Sequence, residues 1–235
     1  MKNPEEWTSF LKKNDWLPEK TQSLVGDAST RNYTRIYKSG TTAILMDSRV
    51  EKEKINSFIK VDSHLRKLGL SAPEIFYADI QKGFLLLEDF GDNSIYSMAQ
   101  NNPNQNELTE MYFYALETLK IIQEGHIPIN TKKYTSKRLI NEATEFFSFW
   151  YNSLITNSNE IDIAKNSFSK ALEPVMLEAW KIPSVFSLRD YHAGNLMWLS
   201  NRRSFKKIGL LDFQDAIEAP ASYDLVSLTC DARIK

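Results

Sequence analysis

Asp190 and Asn195 stand five residues apart in the run Ser187-Leu-Arg-Asp-Tyr-His-Ala-Gly-Asn195, and Asp212 follows an apolar stretch, Ile208-Gly-Leu-Leu211. One kind of chemistry needs that set. A carboxylate such as Asp190 meets a hydroxyl that attacks a phosphoryl group. An asparagine and a second aspartate supply hard oxygen ligands that hold Mg²⁺ against phosphates. Nothing among the three suits a soft metal. An aspartate five residues before an asparagine is weak evidence by itself, so the surroundings must decide. The plain alternative is a buried Asp–Asn turn network beside an ordinary hairpin, with Asp212 as a strand-end cap.

The surroundings favour chemistry. Val185-Phe-Ser-Leu188 runs apolar into the aspartate, and Gly194 permits a tight loop. Leu196-Met-Trp-Leu199 then reads as a strand, 200–207 as a polar turn region and 208–211 as the returning strand. Such a loop and hairpin bring all three groups towards one point. His192, between base and ligand, is expected to make a loop hydrogen bond rather than act as a base. Asp224, after Pro220-Ala-Ser-Tyr223, is expected to cap or anchor its helix against this loop.

The rest of the chain supplies a frame. Asn3, Pro4 and two glutamates form a helix start, with Trp7, Phe10 and Leu11 on its apolar side. Strands are expected over 22–47, with a hairpin around Lys38-Ser-Gly-Thr41, and a helix over 51–68 stopped by Gly69 and Pro73. A second strand pair, 75–78 and 84–88, turns at Gln81-Lys-Gly83. Beyond Gly91 the pattern is helical, with Leu108, Met111, Ala115, Leu119 and Ile122 on one face and further helices over 136–155 and 161–180. A boundary near 89–93 divides the chain into 1–90 and 91–235.

At these residues the chain resembles the aminoglycoside phosphotransferase and choline kinase superfamily, the small-molecule cousins of protein kinases. It is most similar to the bacterial anomeric N-acetylmuramate/N-acetylglucosamine kinases. The segments that carry the likeness are Gly26-Asp-Ala-Ser29 with Arg31 and Arg35, Ala43-Ile-Leu-Met-Asp47, Gly83-Phe-Leu-Leu-Leu-Glu-Asp-Phe-Gly91, the 188–195 loop, Gly209-Leu-Leu-Asp-Phe-Gln-Asp-Ala216 and 220–228. The resemblance implies an α+β, protein-kinase-like two-lobed fold: an antiparallel sheet lobe that binds ATP, then a mainly helical catalytic lobe. It implies Asp190 as catalytic base, Asn195 and Asp212 as Mg²⁺ ligands, and Gly26, Ser29, Arg31, Arg35 and Glu88 around the nucleotide. The acceptor it implies is the C1 hydroxyl of an amino sugar in cell-wall recycling. Aminoglycoside, choline and homoserine types are the alternative acceptors. Compared with the family the chain stops early, so helices that usually wall the acceptor pocket are expected to be missing.

Met46 stands where kinases place a phosphate-binding lysine. That substitution keeps a second class open, a nucleotide-binding pseudokinase that regulates a partner. Arg31 and Arg35 lie on one side of their strand and either supply the missing charge or form a solvated face; Arg35, deeper in the strand, is the favoured cation. The loop at Gly26 has a single glycine, so only small residues there favour close phosphate approach. Glu88 marks the hinge, where kinases bind adenine through backbone groups.

Composition excludes several classes. Of 235 residues, 42% are hydrophobic and 25% charged, the balance of a folded domain. A net charge of −1 advertises neither nucleic acid nor an anionic membrane as partner. No apolar run spans a bilayer and no signal-peptide pattern opens the chain, so a cytoplasmic location is expected. Cys230, alone, forms no disulfide framework or zinc site and is expected as a small helical core residue.

Overall fold

The computed structural model describes residues 4–24, 30–101, 104–149 and 158–234. The expected cap at Asn3, the small-residue loop with Gly26 and Ser29, and the end of the 136–155 helix beyond 149 lie outside the described residues.

Helix α1 (Pro4–Lys13) precedes a five-stranded antiparallel sheet built from β1 (Lys20–Leu24), β2 (Asn32–Lys38), β3 (Thr41–Asp47), β4 (Ile75–Asp79) and β5 (Phe84–Glu88). Its order is β1-β2-β3-β5-β4. One sheet face meets α1 through Phe10, Leu11, Ile36, Leu45, Phe84 and Leu86. The other face, through Met46, Leu85 and Leu87, joins the main core shared with α2 (Glu53–Lys67). Alternation along β3 and β5 sorts these two sets, because successive strand residues point to opposite faces.

The helical part follows. Ser94 caps α3 (Ile95–Gln100), its hydroxyl oxygen accepting from Ser97 N at 3.0 Å. The long α4 (Gln105–Glu124) buries Met111, Ala115, Leu119 and Ile122, the face expected from periodicity. Helices α5 (Ser136–Phe149) and α6 (Ser158–Ala179) pack on each other. The hairpin of β8 (Leu196–Trp198) and β9 (Ile208–Leu210) encloses a short 3-10 helix, Ser204–Lys207.

A three-stranded sheet was not foreseen. Here β10 (Ile217–Pro220) lies between β7 (Ser184–Ser187), antiparallel, and β6 (Lys132–Lys133), parallel. β6 is two exposed lysines and β10 is four residues ending in proline, so both are too short for a pattern to mark them as strands. Cys230 also departs from expectation: it is exposed, at the end of α7 (Ser222–Thr229). α7 buries Asp224 and Leu228, which share a face. Val226 and Cys230 share another, which faces solvent.

Candidate active site

The catalytic loop joins β7 to β8 and is held from several sides. Tyr191 is 1% exposed, and its hydroxyl donates to the Ala115 carbonyl of α4 at 2.7 Å. The Ala193 carbonyl accepts from Tyr96 N at 3.0 Å, and the Asn195 carbonyl accepts from Leu211 N at 3.0 Å. Asp224 anchors the start of the loop. Its Oδ1 accepts from Ser187 Oγ at 2.7 Å and Arg189 N at 3.0 Å, and its Oδ2 from Leu188 N at 2.7 Å. The anchoring expected of Asp224 is therefore what the structure shows. Burial, only partly offset by these donors, pushes its carboxyl up to about 6.

Asp190 follows this anchor, partly buried, and directly after Arg189, whose φ of 75° is in the left-handed region. Burial first, then the Asp212 charge, raises its carboxyl above the ordinary range. Asn195 Nδ2 donates to the Asp190 carbonyl at 3.0 Å, which spends the amide nitrogen on the loop and leaves the amide oxygen as the atom that could meet a metal. His192 makes the expected loop contacts: Nδ1 accepts from Gly194 N at 3.2 Å, and Nε2 lies 3.2 Å from Asn195 Nδ2.

Asp212 follows β9 with φ 55°, an uncommon conformation for a non-glycine residue and one that recurs at functional sites. Next to it, Phe213 is fully buried, its ring centroid 4.9 Å from that of Phe58 on α2. Ser57 Oγ, also on α2, donates to the Gln214 carbonyl at 2.6 Å. The Asp212 loop is thus fastened to α2. Its Oδ1 accepts from Gln214 Nε2 and from Arg31 Nη2, each at 2.9 Å.

Two cavities meet at the catalytic loop. A cleft of about 680 Å³ between sheet and loop is lined by Tyr33, Arg35, Glu88, Asp190, Asn195 and Asp212. A second cavity of about 720 Å³, beyond the loop, is lined by Trp180, Arg189, Asp190, His192 and Tyr223. Asp190 lines both.

The remaining predicted residues divide. Glu88 pairs with Arg202, which lies over the Phe90 ring, at the hinge end of the cleft. Arg31 and Arg35 are buried, so the solvated-face alternative fails for both. Arg35 is held at the hinge by Asp89, at 2.6 and 3.0 Å, and by Asp92 at 3.1 Å. Met46 is 1% exposed and part of the core. Sequence reasoning missed the Arg35–Asp89–Asp92 clamp and the network of Glu142 with Tyr134, Arg138 and Arg189. Only the charges of those residues hinted at either.

A set of hard oxygens, one carboxylate and one amide, fits Mg²⁺, which completes its octahedron with water and phosphate. Among the described residues no group of three or more His, Cys, Asp or Glu forms a metal cluster of its own. Among them also, no helix is long and apolar enough to cross a membrane.

A model of the phosphotransferase enzyme family matches residues 20–234. The chain belongs to this family. Among curated proteins it is similar to the N-acetylmuramate/N-acetylglucosamine kinase of Caulobacter vibrioides, 28% identical over 259 residues, which covers 96% of this chain and 70% of the relative. The kinase of the same name from Pseudomonas putida is 27% identical over 231 residues, covering 97% of this chain and 65% of the relative. The chain therefore spans about two thirds of the length of these relatives. Among solved structures, the streptomycin–ATP ternary complex of an aminoglycoside phosphotransferase superposes with a TM-score of 0.66 at 13% identity, covering 96% of this chain and 76% of that one. That likeness establishes the α+β, kinase-like fold of this phosphotransferase.

Proposed function

We propose that this chain transfers the γ-phosphate of ATP to the C1 hydroxyl of N-acetylmuramate or N-acetylglucosamine. The observation that carries the reading is the position of Asp190, in the wall between two cavities. Nucleotide in one and acceptor in the other would meet at its carboxylate. Residues 1–90 form the nucleotide-binding lobe in this reading and residues 91–235 the catalytic lobe. The family, the printed names of the curated relatives and the ATP complex of the fold neighbour support it.

The division of labour follows from the geometry. Asp190 orients the acceptor hydroxyl and takes its proton as the oxygen bonds to the γ-phosphorus and the bond to the β-phosphate oxygen breaks. A raised carboxyl is a better proton acceptor once ionised. The Asn195 amide oxygen and the Asp212 carboxylate would hold Mg²⁺, which when bound offsets phosphate charge. Trp180 and Tyr223 give the acceptor cavity an aromatic wall suited to a sugar ring.

The test is Mg²⁺-ATP with a panel of N-acetylmuramate, N-acetylglucosamine, an aminoglycoside, choline and homoserine. Sugar-dependent ADP release with a sugar phosphate as product is the expected result. Turnover on another acceptor alone overturns the sugar assignment. The buried Met46 supports one rival, a nucleotide-binding regulator. Tight nucleotide binding without turnover on any acceptor would favour that rival.

A further inference from the structure

The phosphotransferase reading leaves one requirement unmet. A triphosphate brings several negative charges to the metal end of the cleft, and the β3 position that carries a lysine in kinases is Met46, a core thioether. Met46 pairs in register with Tyr33 on β2. Arg31 stands two residues before Tyr33, on the same side of the extended chain. Its guanidinium carbon lies 6.0 Å from the Tyr33 ring centroid. Its Nη2 reaches Asp212 Oδ1 at 2.9 Å, an ion pair between residues 181 apart in sequence.

The surroundings place this guanidinium where a kinase lysine would act. Such a lysine pairs with an acid of the following helix and sits beside the metal aspartate. Here Glu51, just before α2, is held below the ordinary glutamate range by the Thr30 hydroxyl first, then by Lys54 and the Arg31 charge. The Arg31 charge is therefore felt at the start of α2 as well as at Asp212, which it touches. Arg31 reaches the cleft through Asp212, which lines it, whereas the two arginines of the lining are engaged elsewhere. Arg35 is clamped by Asp89 and Asp92 at the hinge, and Arg233 pairs with Asp231 at 3.1 Å. Four residues of extended chain, about 13 Å, separate Arg31 from Arg35, and the two pair with different acids, Asp212 and the Asp89–Asp92 pair.

We propose that Arg31 is the phosphate-binding cation of this site, replacing the charge that Met46 lacks, with its guanidinium shared between Asp212 and the nucleotide phosphates. The inference rests on the phosphotransferase reading. A planar fork of five N–H donors can serve a carboxylate and a phosphate together, which an ammonium on the short reach from Met46 would not need to do. The same pairing keeps the buried Arg31 compensated by Asp212 when no nucleotide is bound.

Titration calorimetry with Mg²⁺-ATP and with adenosine tests this on wild type, Arg31→Gln, Arg31→Lys and Arg35→Gln, with thermal melts to confirm folding. Arg31→Gln should weaken ATP about 10- to 100-fold, the worth of a charge-assisted contact, and change adenosine less than about twofold. Arg31→Lys, which keeps the charge but loses the fork, should recover only part of the ATP affinity. Arg35→Gln should weaken both ligands alike by loosening the hinge. Equal effects of Arg31→Gln on the two ligands, or none on ATP, overturn the proposal while nucleotide binding itself stands. Wild type that binds neither ligand overturns the phosphotransferase reading and this inference together.

Discussion

Replacing Asp224 by alanine removes a carboxylate that lines neither cavity of the site, yet activity should suffer. Asp224 is 1% exposed and receives Ser187 Oγ, Leu188 N and Arg189 N. Ser187 and Leu188 are themselves buried, so two donors would lose their partner with no water to replace it. An unsatisfied buried donor costs about 1–3 kcal/mol. Relief from burying a charge returns part of that, since the carboxyl sits at about 6 rather than in the ordinary range. A net loss of about 2–4 kcal/mol follows. The second consequence is positional. Arg189 N is the last anchored donor before Asp190, so the loop should shift, and misplacement by about 1 Å costs on the order of 100-fold in rate. Urea unfolding and kcat, measured on Asp224→Ala and on Ser187→Ala, make the assay. Ser187→Ala removes one donor together with its need for a partner and should cost only about 1 kcal/mol. A loss below about 1 kcal/mol in Asp224→Ala, with kcat intact, would refute the anchoring argument.

Asp190→Asn should lower kcat by about 10²–10⁴ with ATP affinity unchanged, as single-turnover kinetics and calorimetry would show; full activity removes Asp190 from the mechanism. Asp212→Ala should weaken Mg²⁺-ATP much more than metal-free ATP, and equal losses would contradict its ligand role. Asp62 gives a pH signature. Burial pushes its carboxyl up to about 7, so the folded chain holds that proton more tightly than the unfolded chain. Its contribution is present below about pH 4 and is lost as pH rises through about 7. Asp62→Asn should therefore gain on wild type by about 1–3 kcal/mol between about pH 5 and pH 8. His64, buried and lowered mainly by burial, acts in the opposite direction in both proteins and cancels in the comparison. A pH-independent difference in melting temperature would contradict the assignment.

Much of the site was legible because its chemistry is local. Asp190, His192 and Asn195 share one loop, and the β8–β9 hairpin returns the chain to Asp212, so spacing together with the strand pattern around it placed them together. The N-terminal sheet was legible for the same reason: its short apolar runs, β3 and β5, are bounded by turns that carry glycine. What escaped depends on distant partners. Arg35 meets Asp89 54 residues away, and Gln123 of α4 meets Ala221 98 residues away. No local pattern encodes such pairs. Arg31 and Arg35 look equivalent in sequence, and only the third dimension separates a clamp on Asp89 from a cation paired with Asp212. β6 and β10 failed because they are too short to show a pattern, and Cys230 because a short helix hides which face is buried.

The central claim is that Asp190 directs phosphate onto the anomeric oxygen of a free amino sugar. A hemiacetal hydroxyl is more acidic than the other sugar hydroxyls and so suits a lone carboxylate base. The direct measurement is phosphorus NMR of the products from Mg²⁺-ATP with N-acetylglucosamine or with its methyl glycoside, which blocks C1 and keeps every other hydroxyl. An acid-labile glycosyl 1-phosphate from the free sugar, and no product from the glycoside, is the predicted result. Phosphorylation of the glycoside as readily as the free sugar would contradict the account.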